Sequence, residues 1–448
     1  MGVGKREPKA YSSSRFTRTG GKVTTHTEER APRRRILLTL PELAVGGGPV
    51  IALNAIRYLD RARFEPHVLA LYPDRTDMVD AFRAEGIDPV VLEHTPGRSI
   101  FESPRVARLI RERGIDLLHI SGADERRISL YGAFLARVPA VVHIHSEWVH
   151  LGARVQPGSP PHVRLRRLAL SRFRDEIEHH VACEYLADSP TAAALFEPSV
   201  RHPVHVMTQS MAFDAMAEAA AAHDDEAWRA ELGLGPGPVA INISRHVPGK
   251  GQGRVIRAFA AVRRVVRDAQ LVLVGDGEQF AENQRLSAEL DVAGAVRFVG
   301  LRTDVAHLLA GADVFAFGST TESFGLVVAE AMAARVAVVA YSLPSITSYA
   351  EDGVAALLPA QDDEAGYVDA FTRLMADAAL RRRVADGGYR AVADRFPPDA
   401  AARSFEAAYD RALGHRAPGA GSRPAAAYRR VAAMASPRRA EDAVRPHR

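Results

Sequence analysis

Cysteine is almost missing from this chain: Cys183 is the only one in 448 residues. An internal disulfide and a cysteine-based metal cluster are both excluded, and the usage suits a reducing compartment such as the cytoplasm. Aromatic residues are scarce as well, at 7%. With Ala, Arg and Val abundant, that suits helices on parallel strands better than a β-sandwich. Long apolar runs are lacking. The longest, over 324–340, is broken by Glu330 and Arg335, so no segment reads as membrane-spanning. The first residues hold no apolar stretch of the kind a signal peptide needs.

What is present points to two domains. The length exceeds one ordinary domain, and 47% hydrophobic residues supply two cores. The net charge of +4 hides a division. Residues 1–35 carry ten Lys/Arg against three Glu, and residues 414–448 carry eight Arg against two acids, which leaves about −9 on residues 36–413. Basic residues concentrated at both ends read as disordered, solvated tails over 1–34 and 414–448. Such tails are also candidates for peripheral contact with acidic lipid. A nucleic-acid enzyme would carry its basic patch on the folded body, so nucleic acid is not an expected partner.

From residue 35, short apolar runs alternate with amphipathic stretches. Strands are predicted over 36–40, 67–71, 89–92, 115–120, 140–144 and 204–207, with helices over 49–59, 77–84 and 104–113. After an Ala-, Asp- and Gly-rich stretch over 214–235 the pattern restarts, with strands over 238–243, 271–274, 296–299, 314–317, 336–340 and 355–358. Two β-α-β series predict two doubly wound parallel sheets. The expected division is an N-terminal domain over 35–212, a second domain over 213–397 and a final helix over 398–413. In such sheets ligands bind beyond the carboxyl ends of strands, and the residues able to carry chemistry fall there.

Arg245 and Lys250 lie just after the strand over 238–243, among Gly249, Gly251 and Gly253. Two fixed cations there suit a diphosphate whose charge grows as it leaves, and a helix start nearby adds its positive end. Glu322 and Glu330 bound the stretch ESFGLVVAE over 322–330. A carboxylate accepts two hydroxyl hydrogen bonds at once, which suits a ribose diol or a sugar. The apolar neighbours of Glu330 place it partly in the core, where a carboxylate needs a partner. Gly46, Gly47 and Gly48 let backbone approach a ligand. The G-x-G-x-x-G spacing is absent both there and at Gly275 and Gly277, where Phe280 stands in the third glycine's place, so a nicotinamide enzyme is discounted. His143 and His145 alternate on a strand and point the same way. No neighbouring carboxylate or cysteine set completes a zinc site with them or with His150, so no metal is expected. His145, at the strand end, is a candidate for bonding a hydroxyl, and His119 is a weaker one.

Together these residues resemble the retaining glycosyltransferases of the GT-B fold, in particular family 4, over roughly residues 36–412. The E-x7-E element from Glu322 to Glu330 carries the resemblance first, followed by the Arg245/Lys250 pair. The glycine-rich first loop, the turn GDGE at 275–278 and the stretch over 352–358 also agree. The resemblance implies an α/β fold of two Rossmann-like domains facing across a cleft, with the last helix crossing back to the N-terminal domain. It implies transfer of a hexosyl unit from a nucleotide sugar to a hydroxyl acceptor with retention of configuration. Arg245 and Lys250 would hold the diphosphate, Glu330 the ribose and Glu322 the transferred sugar. Ser323, Phe324, Gly325 and Leu326 would supply backbone contacts. Gly275 would belong to the donor site, Gly47 and Gly48 would approach donor or acceptor, and His145 would sit near the sugar. No cofactor and no metal is implied.

There are departures: Gly48 and Pro49 follow two glycines where relatives carry a small or acidic residue, and Ser345 stands where the family often has glutamate. These bear on the donor sugar. UDP-sugar is preferred over GDP-sugar. The acceptor, whether a glycan, a lipid-linked sugar or a small natural product, would meet loops over 94–104 and 146–165. Abundant Ala, Arg and Gly suggest a GC-rich bacterial genome. A phosphorylase would need a cofactor lysine, and beyond residue 213 the chain has only Lys250. The alternative class is a catalytically degenerate sugar-binding or scaffold protein of the same fold, which would lack one of the Arg/Lys or Glu pairs.

Overall fold

The structure is a computed structural model that describes residues 32–94, 99–122, 126–145 and 176–414. The basic end segments, the whole loop over 146–165 with His150, and residues 95–98 of the loop over 94–104 lie outside the described residues. The first sheet has seven parallel strands: β1 (Arg34–Leu40), β2 (Phe64–Ala70), β3 (Val90–Val91), β4 (Leu117–Ser121), β5 (Ala140–Ile144), β6 (Ala182–Ala187) and β7 (Val204–Val206), in spatial order 3-2-1-4-5-6-7. The second has five: β8 (Val239–Ile243), β9 (Gln270–Val274), β10 (Val296–Gly300), β11 (Val314–Phe317) and β12 (Ala337–Ala340), in order 10-9-8-11-12, again all parallel. Strand order reverses between β1 and β4 in one sheet and between β8 and β11 in the other. Those two switch points open crevices at the carboxyl ends of the strands.

Local chemistry accounts for the helices that flank these points. Gly47–Tyr58 follows β1, with Pro49 in its first turn, where no N–H is needed, and Ile51, Ala52, Ala55 and Ile56 buried at helical spacing. Gln252–Val265 follows β8 and buries Val255, Ile256, Phe259 and Val262. Each sheet is covered on both faces by apolar cores. The last helix, Ala400–Gly414, lies on the first sheet. Its Phe405, Ala408 and Tyr409 are buried in the same core as Leu117, Val141 and Cys183. No helix among the described residues is long and apolar enough to cross a membrane.

Three sequence expectations are corrected. The stretch over 355–358 is not a strand: one isolated bridge, Val339 with Leu357, joins it to β12, and a second, Asp352 with Ala356, closes the segment on itself. Asp352 accepts a hydrogen bond from the Leu358 amide (2.7 Å) and bends the segment away. The helix predicted from Pro104 begins at Ser99 and keeps Pro104 inside, at the loss of one backbone bond. β6 was not anticipated at all, because Glu184 interrupts its apolar pattern. Glu184 is buried, and Arg411 of the last helix donates to it at 3.0 Å.

Candidate functional site

The loop after β8 runs from Ser244 to Gly251, where the backbone takes the left-handed conformation (φ 72°) and starts the next helix. A Cβ on Gly251 would lie 1.9 Å from the carbonyl oxygen of Gly318, and one on Gly318 would lie 2.4 Å from that of Gly251. The loops after β8 and β11 therefore touch backbone to backbone, which only glycines allow. Gly251→Ala is expected to destabilise the protein by more than about 1 kcal/mol, read as a lower denaturant midpoint with an unchanged slope.

This close approach joins the two constellations that the sequence kept apart. Lys250 Nζ donates to both oxygens of Glu322, at 2.8 and 3.0 Å. Arg245 is exposed on the same loop, and the loop is held from below by a residue that sequence reasoning missed. Gln252, 1% exposed, donates to the carbonyls of Ser244 (3.3 Å) and Arg245 (2.7 Å) and to the Ser244 hydroxyl (2.8 Å). Gly275 and Gly277 close in from the next loop, where any Cβ would strike the carbonyl oxygens of Ser244 (2.2 Å) and His246 (2.5 Å). Gly275 thus acts by letting the 275–278 turn pack on the loop that carries Arg245.

After β11, Gly325 is left-handed (φ 82°) and opens the helix Leu326–Ala333. Phe324 anchors the turn: its ring stacks on Tyr349 and meets Phe396 edge-on, while Tyr349 donates to the carbonyls of Phe324 and Gly325 at 3.3 Å. The backbone at 323–326 thus joins the carboxyl end of β11 to the helix start. Glu330 lies a turn further along, among buried Val328, Ala329, Ala331 and Met332. Burial pushes its carboxyl up to about 7, and among the described residues no cation offsets that burial.

The carboxyl ends of the two sheets meet here. Ser323 Oγ donates to the backbone carbonyl of His145 at 2.6 Å, Arg75 faces Asp276 at 3.6 Å, and Leu326 packs on cores of both halves. Gly48 sits against His145: a Cβ there would be 3.7 Å from Nε2 and from Ser121 Oγ, whereas Gly47 faces open space. The histidines are not isolated. Asp188, just past β6, bonds His143 Nε2 (2.9 Å) with one oxygen and His145 Nδ1 (3.0 Å) with the other. The expectation that no carboxylate lies near them is therefore wrong, because β6 brings one from 43 residues away. The signal was legible in part: Ser189 and Pro190 mark a helix start directly after an apolar run, and Ser189 does accept from the Ala192 amide.

Two family models match the chain: Glycosyltransferase Family 4 over residues 45–197 and Glycosyl transferases group 1 over residues 224–391. The chain belongs to the family 4 type of GT-B glycosyltransferases. Among the relatives of this family 4 protein is the lipopolysaccharide core biosynthesis glycosyltransferase LpsE of Rhizobium meliloti, 32% identical over 36% of this chain and 47% of that one. Another is the GDP-mannose-dependent alpha-(1-6)-phosphatidylinositol monomannoside mannosyltransferase of Mycolicibacterium smegmatis, 34% identical over 53% of this chain and 61% of the relative. The chain spans about half the length of the first curated relatives it matches, 45–51%. The crystal structure of Anabaena HepE in complex with UDP and glucose superposes with a TM-score of 0.70 at 21% identity, covering 84% of this chain and all of that one. That likeness is one of fold.

Proposed function

We propose that this family 4 protein transfers a hexosyl unit from a nucleoside diphosphate sugar to a hydroxyl acceptor, with retention of the anomeric configuration. The observation that carries the reading is the Lys250–Glu322 pair at the switch point of the second sheet, one loop away from a burial-raised Glu330. Arg245 and Lys250 hold the donor diphosphate and stabilise its charge as the sugar departs, so no metal or cofactor is required. Glu330 accepts from the ribose hydroxyls, and Glu322, released from Lys250, faces the transferred sugar. The amides of Ser323, Phe324, Gly325 and Leu326 meet sugar and phosphate at the helix start. Gly47 and Gly48 leave room for ligand beside His145. The acceptor is a glycan, a lipid-linked sugar or a small natural product.

UDP-sugar is the first candidate donor, in keeping with the UDP and glucose bound in the HepE structure. GDP-sugar is the second, in keeping with the GDP-mannose-dependent relative. Thermal unfolding with UDP, GDP, dTDP and their sugar conjugates, each with and without magnesium, tests this. A ligand bound only by the folded state at a hundred times its Kd stabilises by about 2.7 kcal/mol. The expected result is a raised melting temperature with one nucleoside diphosphate and its sugar, the same with and without magnesium. No shift with any nucleotide would make the protein a degenerate scaffold.

A further inference from the structure

We propose that Asp188 is a positioning residue that holds His145 in its Nδ1–H tautomer, so that Nε2 presents a lone pair to hydroxyl donors where the two halves meet. The argument is one of hydrogen-bond polarity along a buried chain. His119, His143 and Asp188 are each 5% exposed or less. An ionised carboxylate only accepts, so both ring nitrogens facing Asp188 carry protons. Gln209, itself buried, donates to the same carboxylate at 3.2 Å. With Nε2–H of His143 committed to Asp188, its Nδ1 is an acceptor, and His119 Nε2–H donates to it at 3.2 Å. His119 Nδ1 then accepts from the Tyr409 hydroxyl at 2.9 Å. On the other arm, His145 gives its Nδ1 proton to Asp188, so in a neutral ring Nε2 is the acceptor and Ser121 Oγ donates to it.

With every ring neutral, only one arrangement of protons satisfies every contact. Burial favours this, since an imidazolium there would be desolvated. It drives His119 well down and His143 to about 4. Burial also works against ionising Asp188, and the N–H bonds it accepts from His143 and His145 work the other way. The bonds of 2.9 and 3.0 Å to separate carboxylate oxygens are those of N–H donors. Phe405 lies against both inner rings and, with Tyr409, ties the chain to the last helix.

The consequence is chemical selectivity. Nε2, which accepts from Ser121 Oγ in the free protein, would accept from a sugar or acceptor hydroxyl in its place and repel the lone pairs of a phosphate or carboxylate oxygen. Had His145 been held in the opposite tautomer, the preference would reverse. The activity arm of the test rests on the sugar-transfer reading, whereas the spectroscopic arm does not.

The full chain, labelled with 15N-histidine, is measured by NMR of the ring nitrogens at neutral pH, with His145→Ala used to assign the signal. A protonated Nδ1 and a bare Nε2 at His145 are expected. The opposite tautomer, or a doubly protonated ring, overturns the proposal, as does tight zinc binding by the metal-stripped protein, which would displace both protons. Asp188→Asn can accept at only one of its two polar atoms, so one of the two rings must flip. The expected loss in kcat is on the order of a hundredfold or more, as when a histidine is held in the wrong tautomer, with the donor KM within about threefold. Unchanged tautomers with lost activity would make Asp188 a merely structural residue. Should Asp188→Asn not fold, the wild-type tautomer still decides. Absence of sugar transfer by the wild-type chain would sink the transferase reading and leave the tautomer result standing.

Discussion

Lys250→Ala is expected to lower turnover with the nucleotide-sugar donor by on the order of a hundredfold, the scale of losing one preorganised charge-stabilising contact. In the free protein this ammonium is not waiting in solvent: it is bonded to both oxygens of Glu322. A diphosphate must take it from that carboxylate, which frees Glu322 to face the sugar. The exchange separates the two mutants. Lys250→Ala removes a cation from the diphosphate and leaves an unpaired carboxylate beside it, so it should weaken binding of the free nucleoside diphosphate as well as lower kcat. Glu322→Gln removes the competitor for Lys250. The nucleoside diphosphate should then bind at least as tightly as to wild type while turnover collapses. Calorimetry and steady-state rates on both variants check this. Weaker nucleotide binding by Glu322→Gln would mean that the carboxylate serves the nucleotide rather than the sugar.

Nucleotide affinity should fall as pH drops through about 7, by up to tenfold per unit, because only ionised Glu330 can accept from both ribose hydroxyls. The value of about 7 reflects burial, and a ribose diol supplies the two donors the site lacks. Glu330→Gln should flatten this dependence, leaving only the titration of the nucleotide's own phosphate. Glu330→Ala should weaken binding by about tenfold to a hundredfold, the range for hydrogen bonds to a charged group. Stability carries the opposite sign from that of a paired carboxylate. The folded-state pKa lies above the unfolded one, so ionisation favours the unfolded chain as pH rises from the ordinary carboxylate range to about 7. Glu330→Gln should melt above wild type at pH 8, and the gap should close in acid. A melting difference that does not change with pH would place the carboxyl in solvent.

Much of the second half was legible in the order of residues. Its strands are short, β-branched and separated by helices of clear period. A parallel sheet exposes its functional loops at one end, so residues that follow strands fall together. That rule placed Arg245, Lys250 and Glu322 in the loops after strands, with Glu330 in the helix that follows. The first half was less legible where polar residues serve the interior. Glu184 hid β6, which pairs on both sides, because its partner, Arg411, lies 227 residues away. His119 and His143 looked like isolated histidines because their partners, Asp188 and Tyr409, arrive on other elements.

The sequence by itself determined the fold class, the two doubly wound series and the chemistry available at each strand end, because period and turn residues act locally. Only the tertiary structure decided which of those groups are paired. Gly251 and Gly318 bring Lys250 onto Glu322, and β6 and the last helix place Asp188 and Tyr409 at either end of the histidine chain. The reason is physical: a salt bridge or a tautomer depends on ångström distances between segments, and spacing along one strand carries no information about the strand that comes to lie beside it.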